Sequence, residues 1–138
     1  MNPSAEFMLS HSLLHAKLLK RMDNNMSLHG ISFTEYTILH QLHSSTANTM
    51  RRIDLAESIG ISASGITRML APMEKIGLVE KESNPRDARE SLVRLSTSGH
   101  QIYDDASSTL DLISSSLTDS LTEIQLAKMM KYTLKLLQ

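Results

Sequence analysis

The chain has 138 residues, no cysteine and a formal net charge of −1. That length buries a single core, and the missing thiols exclude disulfides, thiolate zinc sites and thiol redox sensing. A charge this close to neutral does not advertise a nucleic-acid binder, and no apolar run approaches the roughly 20 residues that cross a bilayer.

Aromatics make up only 4% of the residues and Trp is absent, so Leu, Ile and nine Met must fill the core, as in helical packing. The start, Met1-Asn2-Pro3-Ser4-Ala5-Glu6, lacks the basic and apolar regions of a signal peptide. The expectation is a soluble cytoplasmic protein with no membrane partner.

The first predicted element is a helix over about Ser4 to Leu28, with Phe7, Leu14, Leu18 and Met22 at helical spacing. It is long for a small domain and rich in apolar positions. Gly30 breaks it. Ser32-Phe33-Thr34-Glu35 then has the S-x-x-E form of a capping box, opening a helix that carries Tyr36, Ile38, Leu39 and Leu42 and fades at Ser44-Ser45-Thr46.

A short third helix is predicted from near Thr49, with Ile53, Leu55, Ala56 and Ile59, stopping at Gly60. Ser62 is the natural N-cap of a fourth, which holds Ile66, Met69, Leu70 and Met73 and ends at Gly77. Pro72 lies inside that pattern, and a bend or an early end is expected there. Two strand-like runs follow, Leu78–Lys81 and Leu92–Leu95, flanking the polar loop Ser83–Glu90; they predict a β-hairpin with a charged tip. Thr97-Ser98-Gly99 leads into a helix with Ile102, Tyr103, Ala106, Leu110 and Ile113. Ser120-Leu121-Thr122-Glu123 suggests a second capping box, opening a last helix with Ile124, Ala127, Met130, Leu134 and Leu137. The fold class expected is mainly α with a small β-hairpin.

Two short helices joined by Gly60-Ile61-Ser62 form a helix-turn-helix candidate. In that geometry the second helix can lie in a DNA major groove, N-terminal residues toward the base edges. Ala63, Ser64, Thr67 and Arg68 fall opposite the apolar Ile66, Leu70 and Met73. Small residues allow close approach, hydroxyls bond phosphates or bases, and Arg pairs with guanine or phosphate. The helix N-terminus at Ser62 itself favours a phosphate. The hairpin adds a wing presenting Arg86 and Arg89, and an extended arginine suits a narrow minor groove. Asp87 between them is expected to hold an arginine or a backbone N–H. Arg51 and Arg52 read equally as solvated charge or as contacts to the DNA backbone, and Arg94 as a structural residue within a strand. From Met50 to Leu95 eight Lys and Arg stand against seven Asp and Glu, a balance of +1.

These residues resemble the MarR family of bacterial regulators. The likeness runs through Met50–Glu57, then Ile61–Val79 (ISASGITRMLAPMEKIGLV), then Asp87-Ala88-Arg89 followed by Val93-Arg94-Leu95-Ser96-Thr97-Ser98-Gly99. The resemblance implies a single domain over 1–138. Within it, 32–96 would be the winged helix-turn-helix DNA-binding lobe, and 4–28 and 98–137 the dimerisation helices. It also implies a homodimer on double-stranded, pseudo-palindromic operator DNA, with Ser64, Thr67 and Arg68 on the recognition helix and Arg89, supported by Asp87, on the wing. Many relatives release DNA on binding a small aromatic or phenolic effector between the dimerisation helices and the DNA-binding lobe. The apolar terminal helices point independently to a large obligate interface.

No nucleophile elbow, phosphate-binding glycine loop or H-E-x-x-H helix is present, so no catalytic residues and no enzyme are expected. Asp104, Asp105 and Asp111 read as a solvated helix face. No cofactor is expected. The nine methionines read as core filler ahead of a plastic ligand pocket. Two other functions stay open. A winged-helix protein-interaction module without specific DNA fits the near-neutral charge. A zinc-responsive regulator would use His11, His15, His40 and His43, with Glu35 or His100 completing the site.

Overall fold

The computed structural model describes residues 1–138 throughout. Helix α1 spans Pro3–Met26, opened by the Asn2 side chain, which accepts the Ala5 N–H at 2.8 Å. A 3₁₀ turn over Ser27–His29 closes on Gly30. Helix α2 covers Phe33–His43, and its capping box is complete: Glu35 N–H donates to Ser32 Oγ at 3.0 Å and Ser32 N–H to Glu35 Oε1 at 2.8 Å. Then come β1 (Thr49–Arg51), α3 (Arg52–Ile59), α4 (Ala63–Lys75), β2 (Val79–Asn84), β3 (Asp87–Leu95), α5 (Thr97–Leu117) and α6 (Glu123–Leu136). No helix is long and apolar enough to cross a membrane.

Five expectations need correction. The hairpin is part of a three-stranded antiparallel sheet in the order β1-β3-β2, with Met50 opposite Val93. Thr49–Arg51, read as the start of the third helix, forms the added strand, and the helix begins at Arg52. The strands also run further than expected: Asn84 pairs with Asp87 beyond a bulge at Ser83/Asn84, so the polar loop shrinks to the turn Pro85-Arg86.

Pro72 neither bends nor ends α4, which continues to Lys75. Proline withholds the N–H that would bond the Arg68 carbonyl, but both residues are exposed, so water can take that bond. The helix closes instead in a Schellman motif, with Gly77 N–H to the Glu74 carbonyl (3.1 Å) and Leu78 N–H to that of Met73 (2.9 Å). Gly77 sits at φ +80°, where only glycine is unstrained.

The last capping box is two residues later than predicted. Thr122 and Gln125 form it, because Ser120 lies inside the turn closed by Leu121 N–H to the Thr118 carbonyl.

The core lies where α2, α3 and α4 meet one face of the sheet. Ile38, Leu39, Leu42, Leu55, Ile66, Leu70, Met73, Val79 and Val93 are fully buried there, joined by Tyr103 and Ala106 of α5 and Met26 of α1. The two long outer helices behave differently. No residue of α6 is buried, and α1 buries only Met26.

Candidate nucleic-acid interface

The site is assembled from α3, α4 and the β2–β3 hairpin. Helix α3 ends at Gly60 (φ +73°), which turns the chain so that Ile61 N–H reaches the Ala56 carbonyl and Ser62 caps α4, accepting the Gly65 N–H at 3.0 Å. Ile66, Leu70 and Met73 anchor α4 in the core. The opposite face presents Ser64, Thr67 and Arg68, all exposed. Arg68 makes no ion pair. The hydroxyls are lightly engaged: Thr67 Oγ1 donates to the Ala63 carbonyl at 3.1 Å, and Ser62 and Ser64 Oγ lie 3.2 Å apart.

The wing is braced by its own side chains. Asn84 Oδ1 accepts the Arg86 N–H at 2.9 Å, and Asp87 Oδ1 accepts the Arg89 N–H at 3.0 Å. Of the two roles expected for Asp87, the backbone one dominates, since its carboxylate is 3.9 Å from Arg89 Nε. The Arg89 side chain is 97% exposed. Arg86 is exposed at the turn without an ion pair. Between wing and helices runs a groove of about 280 Å³ that brings Ala63, Ile66 and Thr67 of α4 together with Arg51, Arg52 and Arg89. Ser62, Ser64, Arg68 and Arg86 lie outside that groove on the surrounding surface.

Arg51 is not free solvated charge. Its Nε and Nη2 hold the two Asp54 oxygens at 2.8 and 3.0 Å, and its Nη1 holds Glu90 Oε1 at 2.7 Å. These bonds keep the guanidinium protonated well beyond its ordinary range, and the same bonds pull the Asp54 and Glu90 carboxyls below theirs, helped at Glu90 by Asn84. The cluster ties the start of α3 to the wing strand. Arg52 does a parallel job deeper in, bonding Glu74 of α4 and Ser91 Oγ of β3. Arg94 is structural as expected, facing Glu80 across the β2–β3 register at 2.6 Å. The sequence reading missed Asp54, Glu90 and Glu74 as the clamps of these arginines. Only the three-residue spacing of Arg51 and Asp54 signalled any of it.

The histidines separate. His11 and His15 are exposed on the N-terminal half of α1, with His11 stacked on Phe7. His40 Nδ1 is 2.7 Å from Tyr103 Oη. The single group with metal-ligand spacing is His43, His100 and Asp104, so the proposed quartet His11, His15, His40, His43 is not brought together, and Asp104 is more than a solvated residue. On the same face of α2, one turn before His40, Tyr36 Oη lies 2.8 Å from Ser107 Oγ, and burial raises its pKa.

A short helix pair followed by a β-hairpin wing, whose sheet is completed by the strand preceding the pair, defines a winged helix-turn-helix fold. The MarR family model matches residues 31–91, which hold the whole helix pair and most of the wing. Transcriptional repressor MprA of Escherichia coli K12 is 27% identical over 101 residues, 72% of this chain and 57% of that protein. The chain therefore matches little more than half the length of this curated relative.

Among solved structures, a mutant MarR from E. coli complexed with operator DNA superposes with a TM-score of 0.84 at 23% identity, covering 100% of both chains. The transcriptional regulator BldR from Sulfolobus solfataricus gives 0.89 at 18% identity, covering 99% of this chain and 98% of that one. At these identities the likeness is one of fold.

Proposed function

We propose that this chain is a DNA-binding transcriptional regulator rather than an enzyme, acting in the cytoplasm as a homodimer on a pseudo-palindromic operator. Helix α4 would enter the major groove with Ser64, Thr67 and Arg68 toward the bases, and Arg89 would reach the flanking minor groove. The observation that carries this reading is the exposed cationic set: Arg68 on α4, and Arg86 and Arg89 on a wing braced by Asn84 and Asp87, with Arg89 only loosely paired at 3.9 Å from Asp87. The E. coli MarR complex with operator DNA supports it through a shared fold.

The outer helices support the dimer. Phe7, Met8, Leu9, Leu13 and Leu14 of α1, and Ile124, Met130, Tyr132, Leu134 and Leu136 of α6, are all more than 40% exposed in the single chain. So large an apolar surface on a lone protomer marks an interface. A second protomer on α1 and α6 would set two recognition helices about 34 Å apart, one turn of duplex. The repressor and small-effector parts of the reading rest on the family. A cleft of about 500 Å³ walled by Leu14, Leu18 and Leu117 and rimmed by Lys17, Lys20 and Arg21 offers an aromatic anion a place.

The test is selection of operator sequences by the purified protein, followed by fluorescence anisotropy on the selected duplex. Arg89→Ala is expected to keep fold and oligomeric state while weakening operator binding by about 1–3 kcal/mol per wing. Affinity should fall steeply with salt. Equal binding by Arg89→Ala overturns the wing assignment, and failure to enrich any sequence overturns specific DNA binding.

A further inference from the structure

His43 is the last residue of α2, while His100 and Asp104 sit one turn apart at the start of α5. Their ligand atoms lie within 4.8 Å of one another. Two ligand atoms on one tetrahedral zinc, each about 2.0–2.2 Å from the ion, are about 3.3–3.5 Å apart. His100 Nε2 and Asp104 Oδ2 already stand at 3.3 Å, one edge of such a tetrahedron. The His43 ring faces that edge, its centroid 5.0 Å from His100, and is held there by the Tyr103 ring at 4.5 Å. Unlike His40, whose Nδ1 is engaged by Tyr103 Oη, His43 has no hydrogen-bond partner for either ring nitrogen within the chain. His43 is half-buried and the other two are exposed, so three donors converge with a fourth position open to water.

We propose that His43, His100 and Asp104 form a site for a borderline divalent transition cation, zinc in the first place. Two imidazoles and one carboxylate match zinc, nickel or cobalt, whereas magnesium and calcium want oxygen cages. Closure brings a His43 ring nitrogen onto the His100–Asp104 edge, the three ligand atoms already lying within 4.8 Å of one another. The bound ion ties the end of α2 to the start of α5. These are the two points where the lobe containing α3, α4 and the wing joins the rest of the chain, because β1 follows α2 and β3 leads directly into α5. A regulatory consequence rests on the DNA-binding reading: fixing these joints biases the orientation of α4 and so changes operator affinity. Binding of the ion does not depend on that reading.

The experiment titrates tag-free, full-length protein with zinc chloride by calorimetry, and with cobalt chloride by visible absorption. The expected result is about one equivalent of zinc per chain and a tetrahedral cobalt spectrum. His100→Gln and Asp104→Asn, both on the exposed surface, should weaken zinc binding by about tenfold or more at unchanged thermal stability of the metal-free protein, and His43→Gln should do the same. His11→Gln with His15→Gln should change nothing. No stoichiometric uptake, or uptake that survives loss of both His100 and Asp104, overturns the site. Anisotropy on the selected duplex with and without zinc tests the coupling separately: unchanged affinity with intact uptake overturns the coupling alone, and no operator binding in either condition overturns the DNA reading while leaving the site standing.

Discussion

Gly99 decides between a local and a tertiary account of the Ser96-Thr97-Ser98-Gly99 turn. By helix propensity alone, Ala at this first-turn position of α5 should stabilise the protein by up to ~1 kcal/mol. The packing predicts the opposite. A Cβ built on Gly99 would stand 2.0 Å from the Leu78 carbonyl oxygen and 2.8 Å from Leu95 Cδ1. That carbonyl has little freedom to retreat: it accepts Ser96 N–H at 3.1 Å and, at 2.9 Å, shares the Ser96 hydroxyl proton with the nearer Gly77 carbonyl, while Leu78 N–H is fixed to Met73 near the end of α4. Relief must open the seam joining α4, the wing and α5, where Gly99 N–H also bonds Ser96 Oγ. Overpacking costs about 1–3 kcal/mol or more, and a disrupted buried hydrogen bond about 1–3 kcal/mol. Set against the propensity gain, the net loss is about 3 kcal/mol, or roughly 10 °C in Tm for a domain this size. Denaturant unfolding of Gly99→Ala at one fixed concentration measures it. Gly65→Ala is the control: its new Cβ is tight only against the Ser62 hydroxyl, at 3.1 Å, with Ile61 side-chain atoms in ordinary contact at 3.7 and 3.8 Å and no backbone atom in its way. It should be neutral or stabilising by up to ~1 kcal/mol. If Gly99→Ala matched it, the carbonyl contact would not be the reason for glycine.

Three further outcomes are expected. Arg52→Ala should lower stability by about 1–3 kcal/mol in denaturant unfolding, since it strips Glu74 and Ser91 of a partly buried partner. The Arg51 cluster adds a pH dependence: Asp54 and Glu90 are depressed in the folded state, so their contribution is present above the ordinary carboxylate range and is lost as pH falls through their lowered values. Tm should drop more steeply toward low pH in the parent than in Arg51→Gln, and superimposable profiles would refute the linkage. Leu134→Glu, on the exposed apolar face of α6, should shift the mass in light scattering from twice the 15.4 kDa chain toward a single one. An unchanged dimer would place the interface elsewhere.

What was legible in the sequence is local chemistry. The Ser32/Glu35 box and the Ser62 cap are bonds within four residues, and Gly60 and Gly77 end their helices with no help from distant groups. Where two local signals overlapped, at Ser120 and Thr122, the choice fell to the turn that closes before α6. Strand β1 was not legible because its partner in β3 lies more than forty residues away, and three residues running into a helix carry no alternation of their own. The hydroxyl contacts of Tyr36 with Ser107 and His40 with Tyr103 were hidden for the same reason. The His43–His100–Asp104 group was half visible: His43 and His100 were both named as possible zinc ligands, but Asp104 read as a solvated helix face, and only the packing of α2 on α5 brings the three together.

The charge count shows how a correct sequence reading can still mislead. A balance of +1 across residues 50–95 treats every arginine as equal. In the fold, Arg51, Arg52 and Arg94 are clamped by Asp54, Glu90, Glu74 and Glu80, and they serve to fasten α3, α4 and the wing together. Four of the seven carboxylates in that stretch are thereby engaged by three guanidiniums. Arg68, Arg86 and Arg89 remain, all on the outward face, and the nearest carboxylate to Arg89, Asp87, is occupied with its backbone. A polyanion approaching the helix and wing therefore meets a field more positive than the count suggests, because electrostatic attraction acts through exposed unpaired charge and is screened within about 10 Å at ordinary salt. Net charge argues about solubility and long-range steering. Recognition depends on which cations the fold leaves exposed and at most loosely paired, and here those are the ones on α4 and the wing.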